Sequence, residues 1–184
     1  MRRVGAPLDG SVPRLETARL LLRGFAGADF EAYCSCIFAD PEVASQFAPS
    51  ALSPRQRTRM AFARNAELWR ERRYGLWAVV DKSDGAFLGH CGFLPLDGTP
   101  EVEIGYAIAR SHWGRGLATE AAGAALRYGF EQAGLDRIVA ITRPENAASQ
   151  KVMKKIGLRF EKDAFYYKLA VKYYALNRAD YRPT

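Results

Sequence analysis

Nine consecutive residues, Trp113-Gly114-Arg115-Gly116-Leu117-Ala118-Thr119-Glu120-Ala121, carry the densest chemical signal in the chain. The apolar run before them, Ile104 to Ala109, reads as a strand. After them Leu117, Ala121, Ala124, Ala125 and Tyr128 recur at helical spacing along one stripe. A strand, a sharp glycine turn and a fresh helix start aim unpaired N–H groups at one point, backed by the positive end of the helix dipole. Such a place binds anions, typically a phosphate or pyrophosphate. It is not a P-loop, which needs Lys-Ser or Lys-Thr where Leu117-Ala118 stand. Nor is it a dinucleotide fingerprint, which needs glycine where Thr119 stands. Two close glycines also suit an ordinary strand-to-helix turn, so the turn alone does not choose a ligand. Elsewhere, carboxylates at Glu101, Glu103 and Asp163 are candidates for taking a proton. His90, inside an apolar strand, reads as structural. No metal-ligand cluster, Ser-His-Asp set or nucleophilic cysteine setting stands out.

The elements that must position these residues follow from periodicity and punctuation. Arg14 to Phe25 reads as a first strand, and a helix after Asp29 carries Phe30, Tyr33, Cys34, Ile37 and Phe38 until Asp40-Pro41 stops it. Ser53-Pro54 opens a longer helix reaching Arg73, with Phe62, Ala66 and Trp69 on one face. Its seven arginines (55, 57, 59, 64, 70, 72 and 73) form either a solvated outer face or a rim attracting an acidic surface. Tyr74 to Asp81, Phe87 to Leu96 and Pro100 to Ala109 make an antiparallel meander leading into the glycine turn. After the central helix come a strand from Asp136 to Thr142, a short helix from Ala147 to Ile156 closed by Gly157, and strands Phe160 to Tyr167 and Leu169 to Leu176.

The nine-residue stretch resembles the pyrophosphate loop of the GNAT superfamily of N-acetyltransferases, Q/R-x-x-G-x-G/A, with Trp113, Gly116 and Ala118 at its defined positions. With Trp113 in place of Gln or Arg, it looks like the RimJ/RimL branch, the ribosomal-protein N-terminal acetyltransferases. A second block is similar to the superfamily pattern N-x-x-A-x-x-x-Y-x-x-x-G-F. Asn146 and Gly157 match it, Ser149 stands at the Ala position and Leu158 at the Phe position. Met153 replaces the tyrosine that serves many members as acid for the departing thiolate. The resemblance covers nearly the whole chain from about Leu15. It implies an α+β, α/β/α-layered GNAT fold with a mixed sheet of six or seven strands, about four helices, and strands splayed around the CoA site.

What it implies for the site can be assigned residue by residue. Trp113, Gly114, Arg115, Gly116, Leu117, Ala118 and Thr119 hold the pyrophosphate of acetyl-CoA, and the backbone of Tyr106, Ala107 and Ile108 pairs with the peptide-like pantetheine. Asn146 contacts the cofactor arm. Glu103, on the strand face of Gly105 and Ala107, matches the acidic residue of an E-I-G-Y motif and takes the amine proton directly or through water, with Glu101 and Asp163 as lesser candidates. Ser149 hydrogen-bonds the leaving thiolate. Direct transfer in a ternary complex is the expected reaction. The expected acceptor is a protein or peptide N-terminal α-amine, ribosomal or other, with a small amine such as a polyamine, an amino acid or an antibiotic as the alternative. The different-class alternative is a non-catalytic CoA-binding or ribosome-associated module, and a homodimer is compatible with either.

Length and composition set the outer bounds. A chain of 184 residues suits one domain (1–184, with 1–13 expected as a flexible tail), burying roughly 70% of its unfolded surface. The net charge of +7 and pI near 9.5 favour anionic partners such as CoA without requiring direct nucleic-acid binding. Cys34, Cys36 and Cys91, odd in number, point to reduced thiols rather than a disulfide framework or a zinc site. No apolar run approaches the ~18 residues of a membrane span, and Met1 to Gly10 lacks the apolar core of a signal peptide. A cytoplasmic protein is expected.

Overall fold

The computed structural model describes residues 12–183. Most of the expected tail therefore lies outside the described residues, but its last two positions are packed. Val12 lies against Gly24, and the Pro13 carbonyl accepts a 2.7 Å hydrogen bond from the Trp77 indole.

The first expected strand is two strands, β1 (Leu15–Glu16) and β2 (Leu20–Arg23), paired antiparallel. Thr17 makes the turn: its N–H donates to the Leu20 carbonyl and its Oγ1 accepts from the Leu20 N–H at 2.9 Å. This hairpin takes the sheet to eight strands, one above the expected count. Helix α1 (Asp29–Tyr33) continues into a π-helical turn, Cys34–Phe38. Asp40-Pro41 ends that helix and starts another, α2 (Pro41–Ala44), because Asp40 Oδ1 accepts from the Glu42 and Val43 amides and Pro41 has no N–H to satisfy. Helix α3 (Pro54–Arg72) opens with a Ser53/Gln56 capping box. Its inward stripe contains Thr58, Asn65, Leu68 and Trp69, while Ala66, expected on that face, is exposed.

The meander is β3 (Leu76–Asp81), β4 (Phe87–Pro95) and β5 (Val102–Ile108), followed by α4 (Leu117–Glu131), β6 (Arg137–Thr142), α5 (Ala147–Lys155), β7 (Arg159–Tyr166) and β8 (Leu169–Asn177). One sheet runs β1-β2-β3-β4-β5-β6-β8-β7. All neighbours are antiparallel except β5 and β6, which are parallel and in register at a single pair, Glu103 with Val139. Beyond it the strands part, leaving the β6-facing edge of Tyr106–Ile108 without a strand partner.

Alternation along β5 separates two environments. Ile104 and Ile108 pack with Leu117, Ala121 and Ala125 of α4 in the main core. Ala107, on the opposite face, packs with Tyr33 and Ile37 under α3. Among the described residues, no helix is long and apolar enough to cross a membrane.

Candidate active site

The turn before α4 has the geometry its glycines suggested. Gly114 and Gly116 both lie at positive φ, +76° and +77°, which side chains rarely adopt. A Cβ at Gly114 would meet nothing within 4 Å, and one at Gly116 only Arg19 Nη2 at 3.7 Å. The conformation, not crowding, calls for glycine there. No side chain caps α4, and its first backbone bond runs from the Glu120 N–H to the Gly116 carbonyl. The amides of Leu117, Ala118 and Thr119 therefore have no partner within the helix. Glu120 braces the turn against the first hairpin. It accepts from Thr17 Oγ1 (2.6 Å), the Arg19 amide (2.9 Å) and Arg19 Nε (2.7 Å), while Arg19 Nη1 donates to the Arg115 carbonyl. Those bonds hold its carboxyl below the usual range against the opposing effect of partial burial. Trp113 lies across the end of β5, its indole N–H donating to the Ile108 carbonyl at 2.7 Å.

The parting of β5 and β6 brings Glu103, Tyr106 and Ser149 to one place. Glu103 is half-buried on the α3 side and, among the described residues, has no basic partner. Burial pushes its pKa up to about 8, partly offset by the Ile141 backbone amide. The two lesser carboxylates are otherwise engaged. Glu101 accepts from the Tyr173 hydroxyl and from Arg137 Nε at 3.2 Å, and Asp163 pairs with Lys172 at 2.6 Å. Tyr106 points to the opposite face, where its hydroxyl lies 2.9 Å from Ser149 Oγ and 3.1 Å from the Ser149 carbonyl. Burial raises the Tyr106 pKa, so the hydroxyl stays protonated at neutral pH. Met153 is buried in the core one turn further along α5.

The side chain of Tyr106 is what sequence reasoning missed, because only its backbone was assigned. Period-two alternation from Glu103 already placed that ring on the α5 side. Asn146 is the N-cap of α5: its Oδ1 accepts from the Ser149 amide (2.9 Å) and its Nδ2 donates to Gln46 Oε1 (2.7 Å). Both ends are thus held within the protein. An open cleft of about 390 Å³, lined by Cys36, Asp40, Ala109, Arg110 and Ser111, lies at the far end of β5. Uncapped amides at one end of a free strand edge, and protonated hydroxyls beside it, fit a long anionic thioester such as acetyl-CoA.

The family of the acetyltransferase (GNAT) domain matches residues 19–159. The chain is 38% identical over 153 residues to the uncharacterised Bacillus subtilis protein YkkB, covering 81% of this chain and 87% of that one. It is 32% identical over 150 residues to the uncharacterised N-acetyltransferase YoaA of the same organism, covering 81% and 84%. Among solved structures, the acetyltransferase from Agrobacterium tumefaciens superposes with a TM-score of 0.79 at 30% identity, over 91% of this chain and 95% of that one. Mycobacterium smegmatis RimJ, solved in complex with CoA-disulfide, shares the fold at a TM-score of 0.79 and 22% identity, over 91% and 88%. The uncapped helix start, the parted strands and these likenesses together make the chain a member of the GNAT family, an N-acetyltransferase.

Proposed function

We propose that the enzyme transfers acetyl from acetyl-CoA to an α-amine, that of a peptide or protein N-terminus, by direct attack within a ternary complex. Acetyl-CoA supplies the activated acetyl group as a thioester. The Leu117, Ala118 and Thr119 amides bind its pyrophosphate, and the β6-facing edge of Tyr106–Ile108 aligns its pantetheine. Glu103 takes one proton from the bound α-ammonium, freeing the amine to attack; as the new C–N bond forms and the C–S bond breaks, the second nitrogen proton replaces the one that the Tyr106–Ser149 hydroxyl pair gives to sulfur. The hydrogen-bonded Tyr106 and Ser149 hydroxyls stabilise the departing thiolate and return a proton to it. Asn146 acts indirectly here, fixing the first turn of α5 and hence Ser149.

The observation carrying the acceptor class is Glu103, the one of the three candidate carboxylates without a cation or hydroxyl partner. Its pKa of about 8 matches a free α-amine, about 7.7–8.0, and lies roughly 2.4 units below a lysine side chain, about 10.4. Taking a proton from an α-ammonium is close to thermoneutral, whereas from lysine it is uphill by about 3 kcal/mol. Peptides with free N-termini should therefore outrun the same peptides capped and carrying a lysine. Faster capped-lysine peptides or polyamines would refute the α-amine assignment. Thermal shift with acetyl-CoA, CoA and NAD tests the cofactor separately: at 100 times its dissociation constant, acetyl-CoA should stabilise the fold by about 2.7 kcal/mol. No shift with either CoA form, or an equal one with NAD, would refute that part.

A further inference from the structure

The face of the sheet that carries Glu103 also holds an aromatic cluster that acetyl transfer, as described, does not use. Tyr33 is its buried centre, with Phe38, Phe47 and Phe62 around it. Two polar groups sit within it without a hydrogen-bond partner. His90 is 4% exposed and stacks on Tyr33 with ring centres 5.4 Å apart, and its Nδ1 meets no donor or acceptor. Arg57, half-buried on α3, lays its guanidinium 4.2 Å from the centre of Phe38 and 5.8 Å from that of Phe47. Among the described residues, no carboxylate or carbonyl accepts from it. On the same helix Arg55 pairs with Glu31 and Arg70 with Glu71, while Arg59, Arg64 and Arg72 are exposed, so Arg57 is set apart by its packing on the rings. Burial pulls the Arg57 pKa below the ordinary guanidinium value. A partly desolvated guanidinium held rigid between ring faces, its N–H groups unmatched, is suited to receive a carboxylate.

The cluster adjoins the reaction site. Phe47, whose ring centre is 6.2 Å from that of His90, directly follows Gln46, the residue bonded to Asn146 at the start of α5. His90 pairs across β4–β5 with Ala107, which shares its strand face with Glu103. Four residues of strand separate Ala107 from Glu103, about 13 Å. Arg57 packs on Phe38 and Phe47 of this cluster, and a strand span of that length calls for a carboxylate several bonds from the amine rather than on the same carbon.

We propose that Arg57, seated on Phe38 and Phe47, binds a side-chain carboxylate of the acceptor, so that the substrate is an amine bearing a nearby acidic group. The inference rests on the acetyl-transfer reading and narrows its substrate.

Two matched pairs test it: the dipeptide amides Ala-Glu and Ala-Gln, and free glutamate and glutamine. The pair showing the preference tells whether the acid belongs to a peptide or to a free amino acid. The wild type should favour the Glu member of at least one pair by tenfold or more in kcat/KM. Arg57→Gln should remove that preference by slowing the Glu member about tenfold, leaving the Gln member and the acetyl-CoA thermal shift unchanged, and Arg57→Lys should retain part of it. Equal rates within both wild-type pairs, or equal slowing of both members by Arg57→Gln, overturns the proposal. Calorimetry with the four N-acetylated products reads the same contact without turnover. Tighter binding of an acidic product, lost in Arg57→Gln, supports the site even if acetyl transfer fails. Equal or absent binding of both members overturns it even if acetyl transfer succeeds.

Discussion

Glu103 and Tyr106 lie three residues apart on one strand and face opposite ways, so in the proposed mechanism one would handle the incoming amine and the other the outgoing sulfur. The two should separate cleanly by pH. With a pKa near 8, wild-type kcat/KM should climb through that pH as Glu103 ionises. Glu103→Gln should leave only the shallower climb set by the acceptor α-amine and lower the plateau by about 10²–10⁴-fold, the usual worth of a positioned base. Tyr106→Phe should lower the rate across the whole profile while leaving its shape intact. An unaltered pH profile in Glu103→Gln would exclude Glu103 as the base. The carboxylate also offers a check independent of catalysis. Its folded pKa lies above the ordinary 4.5, so its contribution to stability is full below pH 4.5 and is lost as pH rises through 8. Thermal melts from pH 5 to 9 should show wild type losing ground to Glu103→Gln.

At the scale of elements, the turn before α4 depends on a brace distant in sequence. Glu120 gathers three donors from Thr17 and Arg19. Removing it leaves those donors largely to water, and Glu120→Ala should cost about 1 kcal/mol in a denaturant titration. It should also weaken acetyl-CoA binding by calorimetry, because the helix start would no longer be held against the hairpin. Unchanged affinity in a folded Glu120→Ala protein would show that the turn holds its shape alone. This brace marks where the sequence stopped being legible. Gly114 and Gly116 could be read because a positive-φ turn between an apolar run and a helical stripe leaves a local signature. The role of Glu120 could not, since its partners are about a hundred positions away. The β1–β2 turn was hidden differently: Leu20, Leu21 and Leu22 dominate the segment and mask a bend made by one threonine hydroxyl. Asp40-Pro41 was read only as a stop, although the same pair also caps the next helix. The arginines of α3 looked alike on a helical wheel, and only packing on Phe38 and Phe47 sets Arg57 apart.

Over the whole molecule, stability should fall on the acid side well before the surface carboxylates titrate. Burial lowers the His90 pKa to about 4, against an ordinary 6.5. Its contribution is full above pH 6.5 and is lost as pH drops toward 4, since the unfolded chain binds the proton first. Asp29, held below its usual value by Arg23 despite the opposing effect of burial, adds a loss at lower pH. The melting temperature should decline between pH 6.5 and 4, and His90→Phe should shrink that decline if the larger ring fits. A flat curve over that interval would mean that the imidazole is reached by water.

The single register pair joining β5 to β6 has a consequence for the life of the protein outside catalysis. A sheet that parts at one residue pair exposes raw strand edge in its middle, where other proteins bury it. Such an edge is a template for any extended peptide, including a second unfolding copy. The pantetheine chain, by lying along that edge, would shield it between turnovers. Cellular acetyl-CoA would then act as a chaperone for its own enzyme, and starvation for it would reveal itself as aggregation before it registered as lost activity.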